Sequence, residues 1–192
     1  SADETIGELA DKSMPTNGTE ITDPQVRGAI EVMLNRIAPY RCLPDAEFKF
    51  KVVRNPTINA FALPGGYITV FSGLIEKATS PEQVAGVLAH EIAHVTKRHG
   101  INRIVKAASA ATVLAVTVGD MGGLQNAAME VLTAVTMNGY GRSDESEADQ
   151  EGVRMLIAAR IDPEGLAEVF ETLEEEQDGE IPVWMSTHPS PR

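Results

Sequence analysis

The stretch VLAHEIAHVTKRH, residues 87–99, constrains the fold more than any other part of the chain. Two histidines stand four apart, which places both on one face of a helix. Their neighbours Ala89, Ile92, Ala93 and Val95 are apolar on every side, so the helix belongs in the interior. Two buried imidazoles on one face need polar partners. His90 and His94 can aim ring nitrogens at one point, and zinc accepts such nitrogens at about 2.0–2.1 Å. Glu91 lies about 100° further round the helix. It cannot easily bind the same ion, but it can reach a water on that ion. Two ligands and a general base are what H-E-x-x-H supplies.

A catalytic zinc keeps three protein ligands and one open position. The metzincin pattern would place glycine at 97 and a third histidine at 100, whereas the chain has Lys97 and Gly100. His99 falls off that register and reads as a helix-end histidine, favoured there by the helix dipole if protonated. A carboxylate on a later helix is the other common third ligand. GRSDESEADQEG, residues 141–152, offers a cluster of them. Glu145 and Asp149 are four apart and share a face, while Glu147 points about 200° away from Glu145. The spacing selects Glu145 as the ligand, with Glu147 as the fallback, and Asp149 as the carboxylate that holds a histidine N–H. Favouring the helix N-terminus accounts for Asp144 but not for acids as deep as Glu147 and Asp149.

The remaining sequence frames this site. At 192 residues the chain suits one domain, expected over 23–192 behind a mobile, polar segment 1–22. The net charge of −12 argues against nucleic acid and against acidic membrane surfaces as partners. Cys42 is the one cysteine, so the chain holds no disulfide of its own. The apolar run 107–119 is shorter than the roughly 20 residues a membrane span needs. It reads as a core helix or as a membrane-surface segment, which leaves peripheral membrane association open.

Asp23 and Pro24 start an amphipathic helix that ends before Pro39. Residues 47–53 alternate as a half-buried strand, and 58–73 read as two strands joined through Pro64-Gly65-Gly66. Ser80 and Pro81 start the histidine helix, with Gln83 as a capping-box partner. Helices follow near 101–118, 123–138, 143–159 and 163–177, with a charged link over 174–182. Helix, small sheet, then many helices gives an α+β class, mostly helical, with a small antiparallel-edged sheet.

At these residues the chain resembles a known family, the HtpX, BepA and CAAX-prenyl-protease type of zinc endopeptidase, within the gluzincins. Residues 58–100 are similar to its strand-and-zinc-helix block. GRSDESEAD matches its E-x-x-x-D motif, and STHPSPR at 186–192 resembles its C-terminal His-Pro motif. The resemblance implies a zincin-like domain binding one zinc ion through His90, His94 and Glu145, with Glu91 as base. It implies that Asn59 and Ala60 line a cleft where an extended peptide adds to an edge strand; on the strand pattern alone, Asn59 also reads as a turn residue. His188 could donate to the oxyanion of the tetrahedral intermediate, could fill the open zinc position and hold the enzyme latent, or could be a plain surface histidine. Arg142 matches a family arginine and could face the cleft, though a helix-surface ion pair serves it equally. The implied substrates are unfolded or misassembled proteins of a bacterial envelope, in the periplasm. Without transmembrane helices after the histidine helix, or a helical-repeat extension, the expectation is the bare soluble catalytic domain. A client-binding, chaperone-like module with a latent protease is the alternative. A purely structural zinc site is weaker, since such sites close four ligands rich in cysteine.

Overall fold

A computed structural model of the chain describes residues 2–43, 46–106, 130, 133, 139–175 and 182–189. In chain order its elements are α1 (Ala2–Ser13), β1 (Thr19–Glu20), α2 (Pro24–Ile37), β2 (Lys49–Arg54), β3 (Ala60–Leu63), β4 (Tyr67–Phe71), α3 (Ser72–Lys77) and α4 (Pro81–Thr96). Residues 99–106 form α5, followed by α6 (Arg142–Ala158), α7 (Glu164–Glu175) and α8 (Val183–Thr187). The expectations for 107–119 and 123–138, and most of the link at 174–182, lie outside the described residues.

The sheet runs in the order β1-β2-β4-β3. β2 and β4 are parallel, and both outer pairs are antiparallel, so the sheet has the antiparallel edges expected. β3 and β4 form the hairpin read from the sequence, with Ala60 opposite Val70 and Leu63 opposite Tyr67. Strand alternation then separates two apolar faces. Val52, Ala60, Ala62, Ile68 and Val70 join the main core with α4. Val53, Phe61, Leu63 and Phe71 point the other way, into a second core with Ala10, Ile101 and Ile104.

That second face accounts for a departure from expectation at the N-terminus. Segment 1–22, expected to be mobile, instead carries α1 and β1. Ile6 and Ala10 of α1, and Met14 just past its end, recur every four residues and cover the back of the sheet. β1 adds a strand beside β2, with Thr19 opposite Arg54. α1 lies so close to the hairpin turn that a Cβ on Gly7 would stand 1.8 Å from the Pro64 carbonyl oxygen. Only glycine fits there. A sheet apolar on both faces needs a second cover, and the polar composition of 1–22 hid the narrow stripe that supplies it.

α4 is the central pillar, buried without a break from Gln83 to Thr96. Ser80 caps it by accepting from the Gln83 backbone N–H at 3.3 Å. The Gln83 side chain accepts from Thr79 rather than from the cap residue, a variant of the capping box. α4 packs on β3, α6 and α7. The crossing with α7 is tight: a Cβ on Gly86 would meet Leu166 backbone at 2.7 Å, and one on Gly165 would meet the Glu82 carbonyl oxygen at 2.4 Å.

Candidate metal centre and active site

α4 delivers His90, Glu91 and His94 to the same buried place, each no more than 2% exposed. α6 crosses it and contributes Glu145 from its first turn. α8 comes last and brings Trp184 and His188, four residues apart. Four donor groups meet there: those of His90, His94, Glu145 and His188 have ligand atoms all within 4.8 Å of one another.

The separations are specific. His90 Nε2 lies 2.9 Å from His94 Nε2 and 3.1 Å from His188 Nδ1. Glu145 Oε2 is 3.3 Å from His90 Nε2 and 3.2 Å from His188 Nδ1, and its Oε1 is 3.5 Å from His94 Nε2. Zinc bonds of 2.0–2.1 Å at tetrahedral angles set ligand atoms about 3.3–3.4 Å apart. Hydrogen bonding explains the cluster less well. One proton on His90 Nε2 can serve only one of its two nitrogen neighbours, and Glu145 Oε1 is buried with no hydrogen-bond partner. A buried polar group without a partner is costly, and a cation satisfies all of these lone pairs at once. The residues present therefore fit a metal ion.

Asp149 sits where the four-residue spacing puts it. Its Oδ1 lies 2.8 Å from His90 Nδ1, so His90 Nδ1–H donates to the carboxylate and Nε2 turns toward His94, Glu145 and His188. Burial lowers the His90 pKa, but Asp149 and Glu145 outweigh it and raise it to about 10. His94 is pushed well below the ordinary histidine value, by burial and by the neighbouring imidazoles. Burial works to raise the Glu145 carboxyl, yet hydrogen bonds to His188 and His90 bring it down to about 2. Neutral His94 and ionised Glu145 are the forms a metal requires.

Glu91 is flanked by Trp184 of α8 and by His188, just past the end of that helix. The Trp184 indole N–H donates to Glu91 Oε1 at 3.2 Å, and His188 Nε2 stands 3.4 Å from the same oxygen. Trp184 is fully buried, with its ring against Phe170, His90 and His188. The sequence reading missed it, although its place one helical turn before His188 was a usable signal. Tyr140 was missed too; its ring stacks on His94 with centroids 3.9 Å apart, and burial raises its pKa.

Other candidates are not among the four donors. Asn59 and Ala60, at the start of β3, are buried, and the Asn59 side-chain oxygen has no hydrogen-bond partner. Arg142 is exposed in the first turn of α6. The arginine beside the site is Arg103, which pairs with Asp144 at 3.3 Å and lies over the Tyr140 ring. Glu147, the fallback ligand, faces His99 instead, at 3.1 Å. His99 itself is buried against the His94 ring.

Fold and donor set together define a zincin-like metallopeptidase domain. The chain belongs to peptidase family M48, whose family model matches residues 24–192. It is 32% identical to a putative beta-barrel assembly-enhancing protease of Vibrio cholerae, over 96% of this chain and 41% of that protein. It is 33% identical to the mitochondrial metalloendopeptidase OMA1 of Schizosaccharomyces pombe, over 82% of this chain and 48% of the relative. The beta-barrel assembly-enhancing protease of Escherichia coli K12 is 29% identical, over 89% of this chain and 38% of its own length. The chain thus spans less than half the length of these relatives.

Proposed function

We propose that this chain is the catalytic domain of a zinc metalloendopeptidase acting on unfolded or misassembled proteins of the bacterial envelope. The observation that carries the reading is the four-donor cluster with Glu91 beside it. His90, His94 and Glu145 would hold the ion, and Asp149 would fix the His90 ring. When bound, zinc supplies the Lewis acidity that makes a water nucleophilic near neutral pH. Glu91 takes the proton of the attacking water and hands it to the leaving amine. β3 is an edge strand of the sheet, and an extended segment of substrate would pair along it next to Asn59 and Ala60, with main-chain bonds and weak sequence preference. The envelope placement is supported by relatives named for β-barrel assembly. Among the described residues no helix is long and apolar enough to cross a membrane.

One observation favours a latent resting state. His188 Nδ1 lies beside His90 Nε2 and Glu145 Oε2, so His188 would fill the position a catalytic zinc keeps open, and its Nε2 stands next to the Glu91 oxygen that Trp184 holds. In that state the domain binds clients without cutting them until α8 moves. Cleavage of casein by wild type, Glu91→Gln and His188→Ala, with zinc content measured for each, tests both points. The expected pattern is normal zinc and no cleavage for Glu91→Gln, and faster cleavage than wild type for His188→Ala. Cleavage by Glu91→Gln removes Glu91 as base, and a slower His188→Ala returns His188 to an oxyanion role.

A further inference from the structure

His99 stands five residues after His94. On a continuous helix that spacing turns it about 140° away, and the two rings could not meet. They do meet, because the helix does not continue. α4 ends at Thr96, and Arg98 adopts a left-handed backbone with φ of 57°. A non-glycine residue held there is strained by about 1 kcal/mol or more. Two contacts hold the break. The Arg98 backbone N–H donates to the Val95 carbonyl at 2.9 Å. Its guanidinium forks onto Asp3 of α1, with bonds of 3.0 and 2.7 Å. The result folds His99 back beneath His94, 4% exposed.

His94 Nδ1 lies 2.9 Å from His99 Nδ1. His99 Nε2 lies 3.1 Å from Glu147 Oε2, and the other Glu147 oxygen lies 3.1 Å from the Lys97 ammonium. Only one arrangement of protons suits a metal on His94. With the Nε2 lone pair given to the ion, Nδ1 carries the hydrogen and must donate it. His99 Nδ1 then accepts, so His99 carries its own hydrogen on Nε2 and donates to the Glu147 carboxylate.

We propose that His99 is a positioning residue for the metal centre: with Glu147 it forms a directional relay that fixes the tautomer and ring orientation of His94, as Asp149 does for His90. This rests on the metallopeptidase reading above. The two histidine ligands are then oriented by different means. Asp149 touches His90 directly, whereas Glu147 is half exposed and reaches His94 only through a buried imidazole. A neutral acceptor thus sits behind His94, where a bare carboxylate would otherwise have to be buried.

The test measures zinc affinity, by competition with a chromophoric chelator, for wild type, His99→Leu, His99→Asn and Glu147→Gln. Asparagine places Oδ1 where His99 has Nδ1, so it keeps an acceptor for His94; leucine does not. His99→Leu is expected to weaken zinc binding about 10–100-fold, His99→Asn to retain most of the affinity, and Glu147→Gln to lose less than leucine does. Two-bond proton–nitrogen NMR correlation on the zinc-loaded wild type is expected to read His94 as the Nδ1–H tautomer and His99 as Nε2–H, a readout that does not depend on any variant folding. Equal losses for leucine and asparagine, full affinity in His99→Leu, or the opposite His99 tautomer each overturn the relay. A wild type that binds no zinc instead overturns the metallopeptidase reading itself.

Discussion

Trp184→Phe isolates one hydrogen bond at the centre of the site. Trp184 is fully buried, and its only polar atom donates to Glu91 Oε1 at 3.2 Å. Phenylalanine keeps a ring in place against Phe170 and His90 but removes that donor. A hydrogen bond to a charged group contributes about 1.5–3 kcal/mol net. The smaller ring leaves a void that costs on the order of 1 kcal/mol. Together these give about 2.5–4 kcal/mol, which for a chain of this size lowers Tm by about 5–16 °C. The assay is thermal unfolding by circular dichroism in the presence of a chelator, with Glu91→Ala and the double variant completing a cycle. If the bond stabilises the fold as drawn, the cycle returns a coupling of about 1.5–3 kcal/mol. Coupling under about 0.5 kcal/mol would mean that Trp184 contributes packing alone, and that Glu91 is not tethered to α8 through the indole.

Asp149→Ala removes the acceptor 2.8 Å from His90 Nδ1 and is expected to weaken zinc binding about 10–100-fold; unchanged affinity in a chelator competition would refute that role. The metal-free protein also has a pH dependence with two limbs. Glu145 is lowered from 4.5 to about 2, so its contribution is present above pH 4.5 and lost as pH falls toward 2. His90 is raised from 6.5 to about 10, so its contribution is complete below pH 6.5 and lost as pH rises toward 10. His94 is pushed well below 6.5, so its contribution is lost as pH falls below that value. Tm in chelator should therefore be highest near pH 6.5, and a flat profile from pH 6.5 to 10 would contradict the His90 environment.

Much of this was legible in the sequence, for physical reasons. Caps and periodicity are local, so Ser80-Pro81, Asp23-Pro24 and the Pro64-Gly65-Gly66 hairpin appear where they were expected. The spacing of Glu145 and Asp149 carries over because α6 is one uninterrupted helix, and a helix preserves its face. His99 failed for the converse reason: its position depends on a left-handed residue, Arg98, that carries no glycine to announce it. α1 failed because three apolar residues among acids make sense only once a sheet face with no other cover is known. Arg103, which lies over the Tyr140 ring, was not legible because its place beside the site depends on the path of the chain, which motif matching does not see.

The chain has a single tryptophan, and it stands inside the site, with ring centroids 5.8 Å from His90 and 5.4 Å from His188. Indole emission is quenched by a neighbouring protonated imidazole and shifts when the ring meets water. The tryptophan fluorescence of this protein therefore comes from one residue that touches Glu91, His90 and His188 together. A metal held by these donors, or a displacement of α8, would alter that emission and could be followed in real time on the unlabelled wild-type chain.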